Sequence, residues 1–98
     1  MKRDFDTVLL NLMGKPFDDN ATLQTVCLMV LTAQLDSDRS QSVQAKLACY
    51  KLAQKLLPGG IVDVTSEEIT LLKDRVGAMC SVIVVGRVFD LLEADPIA

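Results

Sequence analysis

The chain has no histidine, no tryptophan and few aromatic residues, which make up 4% of its length. Histidine is the usual general base near neutral pH and a frequent metal ligand, so its absence removes two common routes to catalysis. The three cysteines, Cys27, Cys49 and Cys80, are widely separated and form no CxxC pair. This odd, scattered set argues against a disulfide framework and against a zinc site. We expect three buried free thiols.

Motifs that bind phosphate or present a nucleophile are missing as well. The sequence contains no GxGxxG loop, no P-loop and no GxSxG elbow. Paired acids such as Asp36 with Asp38 and Glu67 with Glu68 fall in predicted turns or at helix starts, where carboxylates serve capping and solubility. The sequence therefore predicts a protein that is not an enzyme and that uses no metal and no cofactor.

The sequence also lacks a dominant charge and a long apolar run. Its net charge is −3 over 98 residues with both signs interspersed, which argues against nucleic acid or a membrane as the partner. No uninterrupted apolar stretch approaches the ~20 residues that cross a bilayer. Lys2 and Arg3 are followed at once by Asp4 and Asp6, unlike the start of a signal peptide. We expect a single cytoplasmic domain.

What the chain does have is aliphatic residues at helical spacing. Half of its residues are hydrophobic, and with so few aromatics a core built from Leu, Val, Ala and Met suits helices. The spacing predicts four helices, over 22–36, 41–57, 66–79 and 82–93. The predicted fold is mainly α, a bundle of three to four helices with a small N-terminal β-hairpin.

The clearest local signal stands at the start of the third helix. Thr65 can cap the free backbone N–H groups, and Glu68 can reach back to the N–H of Thr65. A competing signal stands in the fourth helix, because Val82–Val85 is a run of β-branched residues that is typical of a strand. Helical spacing that continues to Leu91 favours a helix there. A break between the two helices is predicted near residues 77–81.

The N-terminal segment leaves two interpretations open. Residues 1–6 are charged, and we expect them to be frayed. Because Gly14 can take a positive φ and Pro16 cannot donate to a central ladder, residues 7–18 are predicted to form the hairpin. A lone hairpin is marginal in water, so it must lie on the helices or extend a partner's sheet. The alternative is a first helix from Asp6 to Met13.

Apolar helix surface is the first candidate for a binding site. Four short helices carry more large apolar side chains than we expect a single subunit of this size to bury. The predicted oligomer interface consists of Leu28, Met29, Val82, Ile83, Val85 and Phe89. Because exposed apolar patches usually mark interfaces, we predict a homo-oligomer, most simply a two-fold dimer.

A basic face on the second helix is the other candidate. The inward stripe of this helix is predicted to contain Ala45, Ala48, Cys49, Leu52 and Leu56, with Val43, Leu47 and Tyr50 beside it. The basic face consists of Arg39, Lys46, Lys51 and Lys55, with no acid between the first and the last. It is either a solvated lysine face or a docking site for an acidic partner or for phosphates. Nucleic-acid binding is not expected, because clustered arginines and interleaved aromatics are missing.

Five segments in order resemble a group of short proteins of tailed bacteriophages: LLNLMGKPF, TLQTVCLMVL, KLACYKLAQKLL, TSEEITLLKDRVG and VVGRVFDLLE. The resemblance covers Leu9 to Glu93, and its motifs are turn, cap and core positions that name no site. Met13 departs from it, because an acidic residue is common before the glycine. The resemblance implies a small accessory protein of a phage or prophage that works in the infected cell or during particle assembly.

Two functions are therefore expected. In the first, the protein is a morphogenesis factor or minor structural protein that assembles with other phage proteins, in the host cytoplasm or in the virion. In the second, it is a regulator or inhibitor that binds a host protein through the basic face between Arg39 and Lys55.

Overall fold

The computed structural model describes residues 1–17, 20–33 and 42–93. The elements in these ranges are, in chain order, β1 (Lys2–Asp4), α1 (Leu23–Thr32), α2 (Val43–Leu56), β2 (Ile61–Asp63), α3 (Ser66–Met79) and α4 (Val82–Glu93). The predicted fold class, a helical bundle with a small β element at the N-terminus, is confirmed.

The N-terminal residues form part of the sheet. β1 pairs antiparallel with β2, with Arg3 opposite Val62, so the pairing joins the start of the chain to its middle. Phe5 is fully buried, and its N–H donates to the carbonyl of Gly60 at 2.9 Å. The expectation that residues 1–6 are frayed is therefore wrong. The stabilising contacts are made with residues almost sixty positions away, which no local pattern indicates.

The predicted hairpin region contains a tight turn. An antiparallel bridge joins Leu10 to Pro16, and the Asn11 N–H donates to the carbonyl of Lys15 at 2.8 Å. Gly14 has a φ of 78°, as the turn requires. Residues 6–13 contain no helix, so the alternative of a first helix there is not observed.

Three helices begin at a side chain that caps them. The hydroxyls of Thr22, Ser42 and Thr65 accept the backbone N–H of Thr25, Ala45 and Glu68 respectively. The predicted capping box of Thr65 and Glu68 is complete, because the Glu68 carboxylate also accepts the Thr65 N–H at 2.9 Å. Each cap satisfies donors that the first helical turn leaves without an intrahelical partner.

The helix boundaries follow the predictions closely. The predicted ranges 66–79 and 82–93 coincide with α3 and α4, and the extended backbone of Cys80 makes the predicted break. The predicted range 22–36 is observed as α1, which ends where Ala33 becomes extended; residues 34–36 lie outside the described residues. The predicted range 41–57 is observed as α2, and residue 41 also lies outside them.

The core lies between the helices. α1 packs against both α2 and α3, and α3 packs against α4. The N-terminal segment contributes Phe5 and Leu9, which are buried against the helices. The N-terminal segment therefore covers helix surface that would otherwise face solvent.

Three arginines hold the ends of these elements together. Arg3 Nε donates to Leu92 O at 3.0 Å. Arg75 donates from Nε to Val30 O at 2.8 Å and from Nη2 to Ala33 O at 2.6 Å. Arg87 donates from Nε to Leu10 O at 3.0 Å and from Nη2 to Asn11 O at 2.8 Å. The last carbonyls of a helix have no intrahelical partner. Arg75 and Arg3 therefore complete α1 and α4, while Arg87 fixes the N-terminal turn onto α4.

Two of the three thiols are buried as predicted. Cys27 and Cys49 lie in the core, and Cys80 is half-buried. Burial, with a smaller contribution from Cys80, raises the pKa of the Cys27 thiol to about 12. Burial also raises the pKa of the Cys80 thiol. Both thiols are therefore neutral at physiological pH, which makes them poor nucleophiles.

Candidate interaction surface

The structure describes three of the four residues of the predicted basic face. Arg39 lies outside the described residues, and Lys46, Lys51 and Lys55 are exposed on α2. Lys55 is already engaged, because its Nζ donates to Glu68 Oε1 at 2.8 Å. Lys46 and Lys51 are therefore the described members of the face that lie outside this ion pair.

The Lys55–Glu68 pair ties α2 to the capping box of α3. Burial raises the pKa of the Glu68 carboxyl, but hydrogen bonds from Lys55 and from the Thr65 N–H outweigh it and lower the pKa. Glu68 therefore stays ionised, and its carboxylate accepts hydrogen bonds from both elements. Lys55 thus connects α2 to α3, and a partner that bound Lys55 would have to replace its ion pair with Glu68.

The predicted oligomer interface is divided between core and surface. Leu28, Val85 and Phe89 pack against the core, and Ile83 is half-buried. Met29 and Val82 are 50% and 88% exposed. The structure thus does not present these residues as one open patch. The homo-oligomer itself stays a prediction.

Besides packing against the core, Phe89 is contacted by the side chain of Lys73. Lys73 Nζ lies 5.5 Å from the centroid of the Phe89 ring and 2.6 Å from Glu93 Oε1. A cation over the face of an aromatic ring is attracted by the ring quadrupole. Lys73 therefore covers part of the surface that the sequence assigned to an oligomer contact.

An exposed apolar row runs along α2 and was not identified from the sequence. Val43, Leu47, Tyr50 and Leu57 are 71%, 46%, 58% and 65% exposed. The first three were predicted to lie beside the inward stripe, but the buried residues of α2 are Cys49, Leu52, Ala53 and Leu56. We call the exposed row, together with Gln54, the outer row of α2. The signal that identifies it is the 4–3–4–3 spacing of residues 43, 47, 50, 54 and 57.

The outer row is held in a defined geometry. Gln54 Nε2 donates to the Tyr50 hydroxyl at 3.0 Å, one helical turn away. Leu57 retains helical dihedral angles at the C-cap, so it continues the line of the helix. At 1.5 Å per residue the row extends roughly 21 Å from Val43 to Leu57. A partner helix of about four turns matches this length.

A second apolar surface is an open cleft between the N-terminal segment, α1 and the start of α4. Its volume is about 320 Å³, and its walls include Leu9, Phe17, Val26, Met29, Met79 and Val84. None of the residues lining the cleft is charged. The neutral Cys80 thiol also lies in its wall. The cleft is suited to an apolar side chain rather than to a charged ligand.

The described residues include no candidate metal cluster and no membrane-spanning helix. Within residues 1–17, 20–33 and 42–93, no three or more His, Cys, Asp or Glu residues are grouped so that they could hold a metal ion. No helix in these ranges has the length and apolar character needed to span a bilayer.

Comparison of the chain with protein-family models, with curated proteins and with solved structures gave no match. The resemblance to short phage proteins stays a prediction.

Proposed function

We propose that this protein is a non-enzymatic accessory protein of a phage or prophage that acts by binding another protein through the outer row of α2. The observation that supports this proposal is the exposure of Val43, Leu47, Tyr50 and Leu57 along one helix. Large apolar side chains that are exposed together on one surface usually mark an interface. Tyrosine is also enriched among the residues that dominate binding energy, and Tyr50 stands near the middle of the row.

The outer row is presented on a rigid element. Ser42 caps the start of α2, and Leu52 and Leu56 anchor its opposite face in the core. A surface that is already ordered loses little conformational freedom on binding, which leaves more of the contact energy for affinity. This favours the outer row over the N-terminal turn, where Leu12 and Met13 are exposed on a loop.

The favoured role is in particle morphogenesis or as a minor structural protein, in the host cytoplasm or in the virion. The second candidate is a regulator or inhibitor of a host protein. It is supported by Lys46 and Lys51, which border the outer row and give it a basic margin. Both roles use the same surface and differ in the identity of the partner.

Capture of partners from infected cells tests the proposal. Tagged protein carrying both Leu47→Asp and Tyr50→Ala should lose the partner that the wild type retains. The control Val82→Asp changes an apolar residue on α4 that is more exposed than either of these two, and it should retain the partner. Capsid or tail proteins in the wild-type sample support the first role, and a host enzyme supports the second. Retention of the partner by the double variant would contradict the proposal, whether or not the Val82 variant loses it.

Self-association remains a separate proposal. If two copies pair through Met29 and Val82, light scattering at high micromolar concentration should give twice the mass of the chain. The variant Met29→Asp with Val82→Asp should then give the mass of one chain. A wild type that is monomeric under these conditions would contradict the dimer. The proposal that the outer row of α2 binds a partner would not be affected.

A further inference from the structure

We infer that the partner segment bound by the outer row of α2 is a single amphipathic helix with acidic residues beside its apolar stripe, packed as in a two-stranded coiled coil. The inference rests on the proposed function, because it names the chemistry of the partner at that same surface. Three features carry it: the spacing of the row, the charges at its margins and the narrowness of its apolar stripe.

The spacing matches a heptad repeat. Val43, Leu47, Tyr50, Gln54 and Leu57 alternate steps of four and three residues, which are the a and d positions of a coiled coil. Such a row drifts only slowly around a helix, so it makes a seam for one facing helix. Gln54 is a polar residue at such a position, a device that fixes register at some cost in affinity.

Lysines stand on both margins of the seam. In the same heptad frame, Lys46 occupies a g position and Lys51 an e position, which are the positions that meet the partner's charges. α2 contains no Asp or Glu from Val43 to Leu56. An acidic helix therefore gains favourable charge pairs along both margins, whereas a basic helix meets like charges.

The same charges argue against a second copy of α2 as the occupant. In a parallel pair the g position of one helix faces the e position of the other, which sets Lys46 against Lys51. In an antiparallel pair, e positions face e positions and g positions face g positions. The lysines then again oppose lysines or uncharged residues. Neither arrangement supplies an acid from α2 itself. A different protein is therefore the better match for this seam.

A membrane surface is a poorer match for the same row. Helices that lie in a bilayer interface present a broad apolar face. The outer row occupies only the a and d positions, which is a narrower stripe than such a face, and polar Gln54 interrupts it. The chain as a whole also carries a net charge of −3, which opposes approach to anionic lipid.

Two designed peptides test the inference. Both are three-heptad helices with leucine at a and d, one with glutamate and the other with lysine at every e and g position, so that neither self-associates readily at neutral pH. Fluorescence anisotropy should show binding of the acidic peptide only. Added salt should weaken it, because exposed charge pairs are screened.

Charge reversal supplies the matched variants. The double variant Lys46→Glu with Lys51→Glu should bind the acidic peptide about tenfold more weakly than the wild type and should bind the basic peptide instead. The control Lys2→Glu with Lys15→Glu makes the same change in net charge at exposed lysines outside α2 and should keep the wild-type preference. A gain of basic-peptide binding also shows that the α2 variant is folded.

Several results would overturn the inference. These are equal binding of both peptides, the same switch in the control variant, binding that survives Leu47→Asp with Tyr50→Ala, and preferential binding of vesicles containing anionic phosphatidylglycerol. If the acidic peptide does not bind, but the natural partner is lost from the Leu47 and Tyr50 variant, the inference fails and the proposed function stands. If that natural partner is retained, the proposed function itself fails.

Discussion

The apolar residues of α1 and α2 are distributed differently, although both helices are rich in them. α1 buries Leu23, Val26, Cys27, Val30 and Leu31, because α2 and α3 pack against it and the N-terminal segment bonds to its first turn. α2 buries one stripe against α1 and leaves its outer row in solvent. The difference teaches that an apolar helix keeps an exposed apolar row only where the fold supplies no neighbour for one of its faces.

The two helices are also tied to the rest of the fold in different ways. The end of α1 is held by Arg75, whose guanidinium donates to Val30 O and Ala33 O from within the core. The end of α2 is tied by Lys55, whose ammonium reaches Glu68 at the surface. Buried hydrogen bonds of charged groups contribute more to stability than exposed ion pairs do. We therefore expect the two ties to respond very differently to substitution.

The largest expected effect contrasts two adjacent leucines of α2. Leu56 is fully buried and Leu57 is 65% exposed. Leu56→Ala should lower the free energy of unfolding by about 2–5 kcal/mol, because it leaves a cavity in the core. Leu57→Ala should change it by less than about 0.5 kcal/mol. Urea denaturation of both variants measures the difference, and similar losses would show that the outer row is part of the core.

A smaller effect is expected at the tie of α1. Arg75→Met keeps most of the side-chain volume but leaves the carbonyls of Val30 and Ala33 without these donors. It should cost about 2 kcal/mol in the free energy of unfolding. Lys46→Met, an exposed change on α2, should cost less than about 0.5 kcal/mol and serves as the control. Equal costs would mean that the buried guanidinium does not stabilise the end of α1.

The smallest effect is expected at the tie of α2 and depends on pH. The pKa of Glu68 is lowered from 4.5 in the folded protein, so its ionised form favours folding. This contribution is present above the unfolded value of about 4.5 and is lost as pH falls through the lower folded pKa. Because the pair is partly exposed, we expect it to amount to less than about 1 kcal/mol.

Glu68→Gln removes this pH dependence. The difference in unfolding free energy between wild type and Glu68→Gln should shrink as pH is lowered from 6 to 3. Glu67→Gln alters the exposed neighbouring acid of the same helix turn and should leave the pH profile close to that of the wild type. A wild-type profile that parallels the Glu68 variant throughout would contradict the assignment.

Local signals predicted much of this fold. The capping box at Thr65 and Glu68 is complete, and the predicted limits of α3 and α4 coincide with the structure, because hydroxyl caps and helical spacing act within a few residues. Leu28 and Phe89 show where that reasoning stops. Their spacing indicates that they lie on apolar faces of their helices, but only the fold decides whether another segment covers those faces.

Long-range contacts account for what the sequence did not reveal. The pairing of Lys2 with Asp63 and the burial of Phe5 depend on residues distant in the chain. Arginine bonds to carbonyls, such as that of Arg87 to Leu10, have no sequence pattern because any residue supplies a carbonyl. The outer row of α2 did have a pattern, the heptad spacing. Val43, Leu47 and Tyr50 were predicted to lie beside the inward stripe, because a helix with two apolar stripes allows more than one choice of buried face.

Methyl NMR of the protein with and without the acidic three-heptad peptide tests most directly whether the outer row of α2 is the binding surface. The account predicts that the methyl resonances of Val43, Leu47 and Leu57 shift most, while those of Met29 and Val82 stay in place. Shifts confined to Met29 and Val82, with the outer row unchanged, would contradict it.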